Sequence, residues 1–204
     1  MSAPPSLWNR RFRLALASGS ATRRRLLAAA GLPFEIVAAA VDERRLEAAM
    51  PDAAPDELAL ALARAKALSA NAPAALAIGA DQVLSLDGAL FHKCATREEA
   101  LRTLSALSGR THRLTSAFAL ARDGEVLACG VDTAEMTMRA LDAAALALYL
   151  DVAGPEALGS VGVYQWEGLG VHLFERVAGD HATILGLPML KLLAALRGLG
   201  ALRL

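Results

Sequence analysis

The sequence predicts an α/β protein built on a mixed β-sheet flanked by helices, and three observations carry that expectation. Short apolar runs bounded by turn residues alternate with longer segments whose apolar residues recur at helical spacing. Residues 111–122 and 125–138, joined by Asp123-Gly124, have the pattern of one long antiparallel hairpin. Neither an internal repeat nor a separating linker interrupts the series, so residues 12–204 read as a single domain. Residues 1–11, with Pro4 and Pro5, read as a poorly ordered tail.

The first expected strand, residues 14–17, runs into Ser18-Gly19-Ser20 and then into a helix from Ala21 with Ser20 as its N-cap. Such a strand-loop-helix is an anion cradle: glycine lets the backbone approach a ligand, and the free amides of the first turn point at it. Arg23, Arg24 and Arg25 put cations where the helix dipole opposes them, so at least one is expected to have an anionic partner. An exposed basic helix start carries the same letters, and the stretch is neither a Walker A loop nor a dinucleotide G-x-G-x-x-G. Gly31 closes the helix, and residues 34–41 read as a second strand. Asp42 and Glu43 at its end stand either at a site or in a solvated turn.

Pro55-Asp56-Glu57 opens the next helix, in which Arg64 and Lys66 are either solvated charges or phosphate ligands. Residues 74–86 form the most informative strand. Asp81 interrupts it directly after Gly79 and Ala80, and a buried carboxylate persists only with a cation, a metal or hydrogen bonds around it. A functional role for Asp81 follows. Asp87-Gly88 signals a hairpin, Lys93 lies just beyond, and Thr96-x-x-Glu99 is a capping box for a helix that Gly109 closes. Asp142 caps a further helix, residues 154–162 are a glycine-rich loop, residues 171–177 read as a strand, and Gly186-Leu187-Pro188 opens the last helix.

Composition narrows the function. The chain is 55% hydrophobic with a mean hydropathy of +0.38, yet its clean apolar runs fall far below the roughly 18 to 20 residues that span a bilayer. A soluble, cytoplasmic protein without a membrane partner is expected. Cys94 and Cys129 are far apart and outside any C-x-x-C, which argues against a disulfide framework or a zinc site. With 21 basic and 21 acidic residues the net charge is zero, so a general nucleic-acid partner is not expected, whereas a small polyanion is compatible with a few local charges.

Five ordered stretches resemble the Maf family of nucleoside triphosphate pyrophosphatases. They are Leu16-Ala-Ser-Gly-Ser20 with Arg23-Arg24-x-Leu26-Leu27; Asp42-Glu43; Ile78-Gly-Ala-Asp81-Gln82-Val83 with Asp87-Gly88 and Lys93; Leu107-Ser-Gly-Arg-Thr-His112; and Glu167-Gly-Leu-Gly170 with Gly179-Asp180 and Gly186-Leu187-Pro188. The resemblance implies a Maf/ITPase-like mixed sheet with two lobes around a central cleft, a divalent cation (Mg, Mn or Co), and a homodimer. It also implies hydrolysis of a small-molecule nucleotide to its monophosphate and pyrophosphate. On that resemblance Asp81 is the proton acceptor and Glu43 the second carboxylate, both available to a metal, while Ser20, Arg23, Lys66 and Lys93 bind phosphate.

Substrate choice in the family follows three positions, here Thr22, Gln82 and Glu167. Gln82 and Glu167 resemble the 7-methyl-GTP group, whose members have an aromatic where Thr22 stands. A glutamate can accept from both N1 and N2 of guanine, and its charge suits a methylated, cationic purine. Ser160 replaces the lysine of the pyrimidine-directed members, Ala21 a common proline, and Cys94 the proline after Lys93. The alternatives are a dTTP/UTP pyrophosphatase of the same family and a nucleotide-binding regulator of cell division.

Overall fold

The computed structural model describes residues 6–204. Its strands are β1 (Arg13–Ala17), β2 (Glu35–Ile36), β3 (Ala75–Leu86), β4 (Ala89–Phe91), β5 (Thr111–Arg122), β6 (Glu125–Met138) and β7 (Phe174–Ala178). They form one seven-stranded sheet in the order β2-β1-β3-β5-β6-β7, with β4 paired to β3 beside this path. The β2-β1-β3 part is parallel and the rest antiparallel. The helices are α1 (Ala21–Ala29), α2 (Glu43–Ala48), α3 (Pro55–Leu68), α4 (Arg97–Leu107), α5 (Ala143–Ala153), α6 (His181–Ile184) and α7 (Met189–Gly198). This is the α/β mixed-sheet class that the sequence predicts.

Side chains alternate across a strand, so the even-numbered positions of β3 lie on one face. Leu76, Ile78 and Ala80 pack there with Phe118, Leu120 and the helices α1 and α7 through Leu27, Leu192 and Leu196. Leu84 and Leu86 belong to a separate core with Leu114, Met136, Leu104 of α4 and Leu150 of α5. Between the two cores stands a polar row, because Gln82 is paired with Ser116 and Ser116 with Asp132. The long strands run through both lobes, and the polar row is the waist between them. On the opposite face α3 packs Leu58, Leu62 and Ala63 against Val83, Ala117 and Ala119. Contact there is backbone to backbone: a Cβ on Gly79 would lie 2.1 Å from the Ala63 carbonyl oxygen and 2.3 Å from the Ala67 nitrogen.

Several expected boundaries change. The second strand is two residues long rather than the stretch 34–41, because β1 ends at Ala17 and offers few further backbone partners. Val37 N–H still donates to Leu16 O, at 3.0 Å, before the chain leaves the sheet. Asp42 is the N-cap of α2, its carboxylate accepting from Arg45 N–H. Residues 169–173 form a 3₁₀ turn, so the strand expected at 171–177 begins only at Phe174. Of the tail expected at residues 1–11, residues 1–5 lie outside the described residues. The remainder is docked: Trp8 is buried, its Nε1 donates to Phe12 O at 2.9 Å, and it bridges to Leu202. Burial of the indole among apolar neighbours supplies the reason.

Candidate active site

The sheet has a gap in one edge. β3 pairs with β1 as far as Gly79 and with β4 from Leu84, so residues 80–83 have no neighbouring strand on that side among the described residues. Into this gap comes the loop leaving the carboxyl end of β1. Ser20 caps α1, its Oγ accepting from Arg23 N–H at 3.3 Å, and its own N–H donates to Ser18 Oγ at 3.3 Å. Ser18, Gly19, Val37, Ala38, Glu43 and Lys66 line a cavity of about 390 Å³ at this place. A crevice beyond a carboxyl strand end, faced by a helix N-terminus, suits an anion.

Asp81 is 7% exposed and points to the α3 side, where Lys66 Nζ lies 2.5 Å from its Oδ1. The same ammonium lies 2.7 Å from Glu43 Oε1, on the first turn of α2. Lys66 belongs to the buried stripe of α3 with Leu58, Ala59, Leu62, Ala63 and Ala67, so the expectation of a solvated charge fails and its cationic role in the site remains. Arg23 stands on the other side of the gap. Its Nε donates to Gly186 O at 2.8 Å and its Nη1 to Ser18 Oγ at 3.2 Å. Burial pushes the guanidinium down from its ordinary value, and the charges of Asp81 and Glu43 oppose that shift. An arginine stays cationic through such changes.

Gln82 points to the other face from Asp81. Its Nε2 donates toward Ser116 Oγ at 3.0 Å, Thr183 O at 3.1 Å and Ile184 O at 3.0 Å. All the acceptors lie on the nitrogen side, which leaves Oε1 as the group the side chain can offer a ligand. Oε1 and the Arg23 guanidinium converge on Gly186, within 3.7 Å of where a Cβ would stand, and the φ of +94° there favours glycine. Glu167 reaches α1 from the loop before the 3₁₀ turn, and its Oε2 is 2.5 Å from Arg25 Nη2, which is 3.5 Å from Thr22 Oγ1. Thr22 and Glu167 are therefore joined through Arg25.

Lys66 thus contacts both Asp81 and Glu43, Arg23 feels the charge of the two acids, and Ser20 is bonded to the Arg23 amide. Lys93 is exposed beyond β4 and makes no ion pair among the described residues. The anionic partner expected for one of Arg23, Arg24 and Arg25 is Glu167, held by Arg25. The sequence did not show the bridging role of Lys66, which acid Arg25 meets or the Ser116-Thr183 support of Gln82. Helical spacing could have found the first, since Lys66 follows Leu62 by four residues on the apolar stripe of α3. The others depend on segments distant in sequence.

An arrangement of this kind handles a small polyanion, holding it with helix amides and cations while carboxylates face it from the other side. The Maf-like protein family matches residues 13–199, and the chain belongs to that family. A nucleoside triphosphate pyrophosphatase of Bradyrhizobium diazoefficiens is 51% identical over 193 residues, covering 94% of this chain and 96% of that protein. A 7-methyl-GTP pyrophosphatase of Mesorhizobium japonicum is 53% identical over 194 residues, covering 93% and 98%. A 7-methyl-GTP pyrophosphatase of Rhizobium johnstonii is 50% identical over 194 residues, covering 93% and 98%.

Proposed function

We propose that this Maf-family hydrolase cleaves 7-methyl-GTP to 7-methyl-GMP and pyrophosphate. The observation that carries the chemistry is the pair of carboxylates, Asp81 and Glu43, held on one lysine beside the amides of the β1-α1 loop. Asp81 takes a proton from the attacking water, Ser20 and the first amides of α1 bind the phosphates, and Arg23 and Lys66 hold charge against them. Lys93 is the further phosphate ligand of this reading. On the base side, Gln82 offers its Oε1 and Glu167 a carboxylate, both acceptors, to the N–H donors of a guanine edge. The names of the relatives support the nucleotide class, and two of the three quoted specify the methylated purine.

The donor set suits a divalent cation. Asp81, Glu43, Lys66 and Arg23 sum formally to zero charge and Lys93 adds one, so the charge of a triphosphate far exceeds what these side chains neutralise. Among the described residues no group of three or more His, Cys, Asp or Glu is gathered as a cage. Two carboxylates completed by water and substrate phosphate is how Mg²⁺ is usually bound. Asp81 and Glu43 would hold it, and it would supply charge neutralisation at the phosphates and a more acidic bound water.

Among the described residues Asp81 and Glu43 are bonded to Lys66 and to no cysteine or histidine, so this reading has no covalent intermediate and water attacks the α-phosphorus directly. Turnover of 7-methyl-GTP, GTP, dTTP and UTP with Mg²⁺, Mn²⁺ or Co²⁺ in ¹⁸O-labelled water tests this. The highest kcat/KM is expected for 7-methyl-GTP, with label in the monophosphate. Label in the pyrophosphate would place attack at the β-phosphorus and remove the mechanism. A clear preference for dTTP and UTP would move the substrate to the pyrimidine group, and binding without turnover would favour the regulator.

A further inference from the structure

Arg25 has no role in the chemistry above, yet it is the residue that touches both outer members of the base-facing set. Its Nη2 lies 2.5 Å from Glu167 Oε2 and 3.5 Å from Thr22 Oγ1. Building on the reading of Glu167 as a contact of the base, we propose that Arg25 is a specificity-determining residue. It neutralises Glu167 and so weakens the preference for a cationic, methylated guanine over a neutral one.

A free Glu167 carboxylate presents a full negative charge and two acceptor oxygens, enough for the N1 and N2 donors of guanine and attractive to a base made cationic by N7 methylation. With Arg25 in place one oxygen is taken and the local sum is zero, so the methyl group's positive charge gains less than it would from a free carboxylate. Repulsion between the guanidinium and a cationic ring acts in the same direction. A neutral ring is spared it, and a guanidinium plane can stack on a neutral base. Thr22 supplies no aromatic surface to offset this, and its place three residues before Arg25 puts both on one side of α1.

The pair is also free to serve this purpose. Side-chain exposure is 66% for Arg25 and 37% for Glu167, so solvent screens the contact and the fold draws little stability from it. The place of Arg25 between Glu167 and Thr22, rather than the strength of the contact, is what matters. A bound base competes with the guanidinium for the same carboxylate, and the outcome depends on whether that base brings a positive charge.

The test compares two nucleotides that differ only in the N7 methyl and its charge. Steady-state kcat/KM for 7-methyl-GTP and GTP is measured on the wild type, Arg25→Gln and Arg25→Lys, with folding checked by circular dichroism. In Arg25→Gln the ratio of 7-methyl-GTP to GTP is expected to rise roughly three- to tenfold, the range for releasing one partly exposed charged contact. Arg25→Lys keeps the charge and is expected to keep the wild-type ratio. A residue that merely props the loop shifts both substrates together, so an unchanged ratio in an enzyme that hydrolyses both guanine nucleotides overturns this inference alone. If the wild type hydrolyses dTTP or UTP and neither guanine nucleotide, the reading of Glu167 fails first and the role of Arg25 goes with it.

Discussion

One ammonium serves two carboxylates at the centre of the site, which sets what a change at either acid does. Lys66 Nζ lies between Asp81 Oδ1 and Glu43 Oε1. Asp81→Asn keeps an oxygen for Lys66 and leaves Glu43 as its charged partner, so the buried cation is not orphaned. Stability is expected to fall by less than about 2 kcal/mol, below the cost of leaving a buried charge unpaired. Turnover is expected to fall by about 10² to 10⁴, because the amide cannot take a proton. Thermal melts and steady-state kinetics on the same preparation separate the two effects, and a variant that kept more than about a tenth of its turnover would make Asp81 a structural acid. At this scale the sequence was most legible where a residue broke a pattern. Asp81 in an apolar strand and Ser20 before a helix needed no partner to be noticed. Lys66 stood open between a solvated charge and a phosphate ligand: its spacing from Leu62 marks the buried stripe of α3, but nothing local says which acids meet it there. Arg25 meets a residue 142 positions away, and no local pattern contains that contact.

Elements bring these residues together through close backbone packing. α3 lies so near β3 that only glycine fits at position 79, with the Ala63 carbonyl and Ala67 nitrogen both under 2.5 Å from a would-be Cβ. Gly79→Ala is expected to push α3 outward and destabilise the fold by about 1 to 3 kcal/mol, the usual cost of overpacking. Lys66 sits one residue before Ala67 and moves with the helix, so turnover is expected to fall by more than the loss of folded protein explains. Chemical denaturation together with kcat per folded molecule measures both, and activity that tracks the folded fraction would remove the coupling. The sequence showed the long hairpin, α1, α3 and the capped starts of α4 and α5 because each carries its own turn or cap chemistry. It overextended β2, whose length depends on where β1 stops. The four-residue α6 was also missed, although Asp180 caps it through Ala182 and Thr183 N–H.

Across the whole molecule the two cores meet at the polar row, and the loop that carries Glu167 is anchored in the core away from α1. Tyr164, three residues before Glu167, bonds His112 Nε2 at 2.6 Å and packs edge-on against Phe174, with ring centroids 4.8 Å apart. His112 is fully buried, and its Nδ1 has no hydrogen-bond partner among the described residues. An imidazolium has two N–H donors, and here one of them would be buried unpaired. Burial accordingly pulls His112 down from 6.5 to about 4, while burial first and the nearby Tyr149 second push the Tyr164 hydroxyl up, so it stays protonated. The unfolded chain therefore binds this proton from pH 6.5 downward and the folded chain only near pH 4, which makes stability fall as pH falls through that window. The loss approaches about 3 kcal/mol by pH 4, at 1.36 kcal/mol for each unit of difference. In His112→Gln the amide can still bond Tyr164 but does not titrate, so it is expected to be less stable than the wild type at pH 7 and to lack this slope. Urea unfolding of both proteins from pH 7 to 4 reads the difference, which should narrow by about 3 kcal/mol. Parallel curves would mean that the proton on His112 costs the fold nothing. A narrowing gap would tie the acid sensitivity of the fold to the histidine that secures the loop carrying Glu167.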